Sequence, residues 1–338
     1  MNIAINGFGR IGRQAFKVAM TKKDIKVVAI NDLTDTKTLA HLLKYDTAYG
    51  KYEKEVSFDE KNIIVAGRAK GWQVTKIPVF AEKDPTMLPW GKLKVDVVLE
   101  CTGRFTNKED AQMHIKAGAK KVVISAPAKG GGVPTYVRAV NCGKVPKEKS
   151  LVINNASCTT NSIGPVMAVL NEKFGIEKAM MTTAHGYTAD QNLQDGPHKD
   201  LRRARAAAEN IVPTTTGAAI AVTEVIPGLL NVFDGLALRV PVPTVSVSDM
   251  TVLLKKNVTK EEINKAMVEA SKLARFAGVL TTTSEQLVSS DFVGNSHSAI
   301  VDLSLTNVVG GNLVKVVAWY DNEVGYAHRL IEIAELYV

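Results

Sequence analysis

The sequence predicts an α/β protein in which a doubly wound parallel sheet is followed by an α+β domain built on a mixed or antiparallel sheet. Three observations carry this reading. Up to about residue 155, short apolar runs alternate with helical stretches, the pattern of a buried parallel sheet with crossover helices. Beyond Cys158 the strand candidates lengthen and the alternation stops, as expected of an antiparallel sheet backed by a few helices. A length of 338 residues exceeds the usual reach of one hydrophobic core, so two domains are expected.

In the first half the strand candidates are residues 3–5, 25–30, 95–99, 122–124 and 151–153, and the helices between them are 10–21, 36–44 and 108–117. Parallel neighbours require crossovers of this kind. Residues 52–79 interrupt the alternation with short β segments punctuated by Gly67 and Gly71, which predicts an antiparallel insertion. In the second half the candidates are 179–184, 236–240, 245–254, 299–305 and 313–320. The expected division is a first domain over 1–157 and a second over 158–323, with a terminal helix, 324–338, returning to pack on the first.

With 46% apolar and 22% charged residues, the composition is that of an ordinary globular enzyme. Cys101, Cys142 and Cys158 are odd in number and lack CxxC spacing, which argues against a disulfide framework or a zinc ribbon; no metal is expected. The net charge of +8 favours anionic partners. Its densest cluster, Lys199, Arg202, Arg203 and Arg205, has no interleaved aromatics for base stacking, so nucleic acid is not expected as the main ligand. No apolar run approaches the roughly 18 residues of a membrane span, and residues 1–6 already read as a strand, not a secretory leader. A cytoplasmic protein is expected.

Gly7-Phe8-Gly9-Arg10-Ile11-Gly12 follows the first strand and opens the first helix, the context of a dinucleotide fingerprint. Gly7 permits the tight turn, Gly9 lets the backbone approach a pyrophosphate, and Gly12 lets helix and strand come close. Phosphate then meets the positive end of the helix. Asp32 ends the second strand 20 residues after Gly12, where a carboxylate accepts hydrogen bonds from a ribose and repels a 2′-phosphate, favouring NAD over NADP.

Cys158, in Ser157-Cys158-Thr159-Thr160-Asn161, stands between a buried strand and an apolar helical stretch reaching Phe174. A thiol at a helix N-terminus gains nucleophilicity from unpaired amides and the dipole, which lower its pKa; the alternative is a buried structural cysteine. Pro165 either kinks this helix or delays its start. His185 ends a strand candidate ahead of the polar Gly186-Tyr187-Thr188, placing an imidazole within reach of a cleft as a base for the thiol. By itself a histidine there is more often a satisfied surface or core residue, and His185 gains weight only through the company of Cys158.

The segments Asn6-Gly7-Phe8-Gly9-Arg10-Ile11-Gly12-Arg13, Ala156-Ser157-Cys158-Thr159-Thr160-Asn161, Thr214-Thr215-Thr216-Gly217-Ala218-Ala219, Leu238-Arg239-Val240-Pro241 and Trp319-Tyr320-Asp321-Asn322-Glu323 together resemble the phosphorylating glyceraldehyde-3-phosphate dehydrogenases over nearly the whole chain. The resemblance implies that Cys158 attacks an aldehyde while His185 takes the thiol proton and assists hydride departure, leaving a thioester. It implies NAD along Arg10 and Ile11, with Asp32 on the ribose, Lys83 and Ser125 on the adenine side, Asn322 at the nicotinamide carboxamide and Tyr326 flanking the ring. Glyceraldehyde 3-phosphate and inorganic phosphate would be held by Ser157, Thr159, Thr188, Arg203, Thr216, Gly217 and Arg239. Hydroxyls, a glycine amide and two guanidiniums form a plausible polyanion clamp, although Arg203 alone reads equally as solvated and Thr216 as a helix cap. A homotetramer is implied as well.

Departures from the family's usual pattern are few: Ile220 replaces a frequent lysine, Ser162 a frequent cysteine, and Val324 a frequent tryptophan, while Ala184 and Gly186 are small neighbours for His185. Gly196-Pro197 is less bulky than the Leu-Pro of many NAD-specific relatives, leaving room for some NADP use. Two rival readings are an erythrose-4-phosphate dehydrogenase, which releases a free acid, and an NAD-binding thiol sensor. The Thr214–Ala219 segment argues against the first and the complete residue set against the second.

Overall fold

The structure, a computed structural model, describes residues 1–67 and 74–338; the expected punctuation at Gly71 lies outside the described residues. Two compact units divide the chain. The first comprises Met1–Tyr136, Gly143–Asn155 and Leu330–Val338, and the second Val137–Cys142 and Ala156–Arg329.

In the first unit, β1 (Asn2–Asn6), α1 (Arg10–Ala19), β2 (Lys26–Asn31) and α2 (Thr36–Lys44) open the sheet. The Asp35 carboxylate accepts the Thr38 amide at 2.9 Å and fixes the start of α2. A short ribbon, β3 (Tyr45–Asp46) with β4 (Gly50–Lys51), precedes β5 (Glu55–Phe58), β6 (Asn62–Ala66) and β7 (Thr75–Phe80). The expected insertion is antiparallel from β5 through β6 to β7, but β7 also runs parallel to β2. The insertion therefore extends the main sheet instead of standing apart from it.

Next come β8 (Val97–Glu100), α3 (Lys108–Ala111), α4 (Met113–Lys116), β9 (Lys121–Ile124) and β10 (Val152–Asn154). The single helix expected over 108–117 is interrupted at Gln112. Strand order is β10-β9-β8-β1-β2-β7-β6-β5. The chain leaves β1 toward β2 on one side and later returns as β8 on the other. This places a topological switch point at the carboxyl end of β1, where ligands bind in doubly wound sheets. Ala4, Val98, Val122, Ile124 and Trp90 are buried against one another.

The second unit starts with α5 (Cys158–Phe174), which runs unbroken through Gly164 and Pro165, so the proline does not delay its start. There follow β11 (Ile176–Gly186), β12 (Val212–Thr215), α6 (Ala218–Val225), β13 (Phe233–Val240), β14 (Ser246–Leu254), α7 (Lys260–Ser271), β15 (Leu280–Thr283), β16 (Ala299–Asp302), β17 (Asn307–Val309), β18 (Leu313–Tyr320) and α8 (Val324–Tyr337), whose last turns belong to the first unit. The order is β12-β13-β11-β14-β18-β16-β15, with β17 also on β18. It is a mixed sheet: β11 is parallel to β13 and antiparallel to β14.

Alternation in β14 buries Ser246, Ser248, Met250, Val252 and Leu254 and leaves the residues between them partly exposed, the period-2 pattern of a one-sided strand. Helix α5 covers the buried face, with Val166, Met167 and Leu170 in the core. Full burial of a side chain such as Leu170 stabilises by about 1.5–3 kcal/mol. The opposite face carries exposed Met180, Leu236 and Leu313.

Candidate active site

The glycine loop owes its shape to contacts that exclude side chains. Gly7 sits at φ +90°, and a Cβ there would lie 2.7 Å from the Thr102 nitrogen. A Cβ on Gly12 would lie 2.1 Å from the Gly7 carbonyl oxygen, whereas one on Gly9 would meet nothing within 4 Å. Gly7 and Gly12 thus serve the turn and its packing, and Gly9 faces open space where a backbone can meet a pyrophosphate. No side chain caps α1 and no acid occupies its first turn, leaving the helix dipole and first-turn amides for an anion. Asp32 closes the cradle by accepting the Phe8 amide at 2.8 Å and the Thr34 amide at 3.0 Å. These features fit a dinucleotide. Arg10, at the head of α1, pairs with Asp46 at 2.7 Å. Lys83 is exposed, and the Ser125 amide is bound to the Glu100 carbonyl at 2.9 Å.

In the second unit, strand register assembles the reactive groups. Arg239 on β13, His185 on β11, Ser246 on β14 and Tyr320 on β18 are successive register partners at one end of the sheet. Cys158 is the first residue of α5, and Ser157 caps it by accepting the Thr160 amide at 3.1 Å. Ala156, just before, holds a left-handed φ of +51°, which a Cβ-bearing residue adopts at a cost. The Tyr326 hydroxyl donates to the Ala156 carbonyl at 3.1 Å and pins this turn.

The Cys158 sulfur lies 3.3 Å from His185 Nε2. His185 Nδ1 lies 2.7 Å from the Gly186 carbonyl oxygen and 2.7 Å from an Arg239 nitrogen. Arg239 can only donate, so its contact with Nδ1 and donation of Nδ1–H to Gly186 exclude each other; the Nδ1–H form is the one that leaves Nε2 free to accept the thiol proton. Burial, reinforced by the Arg239 cation, pushes His185 down to about 3. The thiol departs from expectation: burial pushes Cys158 above its ordinary value, and Arg239 together with hydrogen bonding around Thr159 pulls only partly the other way. Desolvation outweighs the helix terminus, so the resting pair is a neutral thiol facing a neutral imidazole.

Around this pair the polar side chains converge. The Thr159 hydroxyl lies 2.9 Å from that of Tyr320, which also lies 2.9 Å from Thr183; burial and the neighbouring thiol push the phenol up to about 12. Arg203 Nε donates to the Thr214 hydroxyl at 3.0 Å, and its NH1 pairs with Asp190, which also accepts from the Thr188 hydroxyl. Burial works to raise Asp190, but the Thr188 bond and the Arg239 and Arg203 cations outweigh it and hold the carboxyl below its ordinary value. Arg203 is an ion-paired side chain and not merely a solvated one.

Thr216 accepts the Ala218 amide at 3.2 Å and Gly217 is the N-cap of α6, so the turn expected to hold an anion also caps the helix. Arg239 Nε is buried with no hydrogen-bond partner among the described residues. Asn322 is buried and accepts from Ser246 at 3.1 Å.

Sequence reasoning missed Tyr320 and Asp190. Tyr320 lies inside a segment it used and Asp190 two residues beyond Gly186-Tyr187-Thr188, yet their contacts depend on register and loop closure that spacing does not encode. Among the described residues, no group of histidine, cysteine and acidic side chains could hold a metal.

Comparison with known proteins agrees with this geometry. Residues 1–108 match the model of the glyceraldehyde 3-phosphate dehydrogenase NAD binding domain, and residues 157–322 that of the C-terminal domain. The chain is 52% identical over 334 residues to the glyceraldehyde-3-phosphate dehydrogenase of Geobacillus stearothermophilus, covering 99% of this chain and 97% of that protein. It is 53% identical over 336 residues to the enzyme of Thermotoga maritima (99% and 98%), and 50% identical over 334 residues to glyceraldehyde-3-phosphate dehydrogenase 1 of Bacillus subtilis (99% and 97%). With both halves matched and half of all residues shared, the chain belongs to the glyceraldehyde-3-phosphate dehydrogenase family.

Proposed function

We propose that the protein oxidises D-glyceraldehyde 3-phosphate to 1,3-bisphosphoglycerate with NAD and inorganic phosphate. The observation that carries this reading is the 3.3 Å contact of the Cys158 sulfur with His185 Nε2, next to the guanidinium of Arg239 and the hydroxyl of Thr159.

His185 takes the thiol proton as sulfur adds to the aldehyde carbon and returns it to the carbonyl oxygen, which becomes the hemithioacetal hydroxyl and leaves the imidazole neutral again. The resulting hemithioacetal hydroxyl gives its proton to the same imidazole as hydride leaves. NAD, when bound, accepts that hydride. Phosphate oxygen then attacks the thioester carbon, the C–S bond breaks, and the thiol regains a proton. Arg203, Thr188, Arg239, Ser157 and Thr159, with the Thr216-Gly217 turn, hold the two phosphate groups through charge-assisted hydrogen bonds. Gly7, Gly9, Arg10, Ile11, Gly12, Asp32, Lys83 and Ser125 receive the dinucleotide, with Asn322 and Tyr326 on the nicotinamide side. Residues 1–157 and the terminal helix serve the dinucleotide, and residues 158–323 the chemistry.

The protein works as a cytoplasmic homotetramer. No helix among the described residues is long and apolar enough to cross a membrane, and exposed Met180, Leu236 and Leu313 on one sheet face suit a subunit interface.

The test is phosphate dependence. Without phosphate, glyceraldehyde 3-phosphate and NAD should give a burst of about one NADH per site and then slow hydrolysis; arsenate should restore steady turnover. Full turnover with neither anion would transfer the assignment to an acid-releasing sugar-phosphate dehydrogenase.

A further inference from the structure

Beneath the glycine loop lies a buried polar network that the chemistry above does not use. Asn6, Asn31 and Glu100 end three adjacent parallel strands, β1, β2 and β8, and all three are buried, as is His114. The hydrogen bonds have a direction. The Glu82 amide donates to Asn31 Oδ1 at 2.9 Å, Asn31 Nδ2 to Asn6 Oδ1 at 2.7 Å, and Asn6 Nδ2 to Glu100 Oε2 at 2.6 Å.

A second line arrives from the other side. Trp90 Nε1 can only donate, and it lies 3.0 Å from His114 Nδ1, so Nδ1 accepts and the ring proton sits on Nε2. That nitrogen faces Glu100 Oε2 at 3.1 Å. The other oxygen, Oε1, receives the Thr102 amide at 2.8 Å and the Thr102 hydroxyl. Four donors thus end on one carboxylate, and no other member can reverse its polarity without setting a donor against a donor.

The network reaches the cofactor loop at two points. Thr102, held by Glu100, forms the wall against which Gly7 packs, and Asn31 contributes the backbone oxygen that receives the Gly7 amide at 2.8 Å. The geometry points to Glu100 as a positioning residue for the dinucleotide, with His114 locked as its Nε2–H tautomer: together they align three strand ends so that the Gly7 turn stands where a pyrophosphate requires it. This rests on the reading of the loop as an NAD site.

Glu100→Gln keeps shape but turns one acceptor into a donor facing Asn6 and His114. Loss of one such buried bond corresponds to roughly a tenfold rise in the NAD Kd, measured by calorimetry. The alkylation rate of Cys158 should stay unchanged, because that thiol lies in the other unit. In the Trp90→Phe background His114 is free to take the Nδ1–H tautomer and accept from the glutamine, so the added effect of Glu100→Gln should shrink to about threefold or less. Should Glu100→Gln fail to fold, Thr102→Val removes a single hydroxyl and should still weaken NAD binding by roughly threefold.

Independently of NAD, ¹⁵N spectra of histidine-labelled wild type should show one ring as the neutral Nε2–H tautomer, lost in His114→Asn. An imidazolium or Nδ1–H form at His114, an unaltered Kd in folded Glu100→Gln, or a parallel loss of thiol reactivity would each overturn the proposal. Failure of wild type to bind NAD would refute the cofactor reading instead, and the tautomer measurement keeps the two failures apart.

Discussion

Gly12→Ala offers a direct test of how the cofactor loop is built. The new methyl carbon would lie 2.1 Å from the Gly7 carbonyl oxygen and 3.3 Å from Ile5 Cγ2. Ordinary carbon–oxygen contact needs roughly 3.3 Å, so helix and turn must separate by roughly 1 Å. The turn has little room to retreat, since the space beside Gly7 is so narrow that a Cβ there would lie 2.7 Å from the Thr102 nitrogen and 2.9 Å from the Cys101 carbonyl carbon. Helix α1 must therefore lift, carrying away the first-turn amides that meet an anion.

Overpacking of this kind costs about 1–3 kcal/mol, and each kcal/mol lowers Tm by about 2–4 °C in a unit of this size. A misplacement of about 1 Å can cost about 100-fold in rate, and loss of one charge-assisted amide contact to the pyrophosphate about tenfold in affinity. Calorimetric NAD binding and thermal unfolding, run beside Gly9→Ala, make the comparison informative. A methyl on Gly9 meets nothing in the protein, so that variant should unfold with wild type yet lose NAD affinity, whereas Gly12→Ala should lose both. Gly12→Ala with wild-type Tm and an NAD affinity within about twofold of wild type would refute the packing argument.

Three further outcomes are expected. Cys158→Ser should bind NAD but produce no NADH burst, because a serine hydroxyl is hardly ionised at neutral pH; a normal burst would sink the thioester route. His185→Asn should slow thiol alkylation and turnover by about 10²- to 10⁴-fold. It should also flatten acid destabilisation: His185 titrates near 3 when folded and near 6.5 when unfolded. Its contribution is therefore fully present above about pH 6.5 and lost as pH falls toward 3, by up to about 1.4 kcal/mol per pH unit. Equal denaturant midpoints for variant and wild type across that range would contradict the buried neutral imidazole. Asp32→Ala should narrow a preference for NAD over NADP of roughly tenfold in kcat/KM; a wild type that used both equally would show that the loop at Gly196-Pro197 outweighs the carboxylate.

The parallel half was legible because buried strands of three to six apolar residues, separated by crossover helices, leave few other arrangements. Residues 36–44 read as a helix and form one with the same limits, since Asp35 and the leucine spacing both mark it. Strands Val212–Thr215 and Leu280–Thr283 escaped notice because they are four residues long and rich in threonine, so only pairing with β13 and β16 defines them. The proximity of Cys158 to His185 was inferred from company, not geometry. The row that carries His185, Arg239 and Tyr320 depends on registers between residues up to 74 positions apart, which no local pattern contains. Likewise a helix-terminal cysteine suggested an acidified thiol, whereas its burial is a tertiary property that reverses the direction.

That row across β13, β11, β14 and β18 also bears on how the chain is made. The proposed nucleophile is translated at position 158, its proposed base at 185, the guanidinium beside that imidazole at 239, and the phenol at 320. A ribosome-bound chain therefore carries Cys158 before its base has been made, with the thiol free of the burial that pushes it up in the folded unit. A one-residue slip between β11 and β14 would turn His185 to the opposite face of the sheet. Reactivity of this thiol toward alkylating agents, assisted by His185, thus reports that β11 has docked in register.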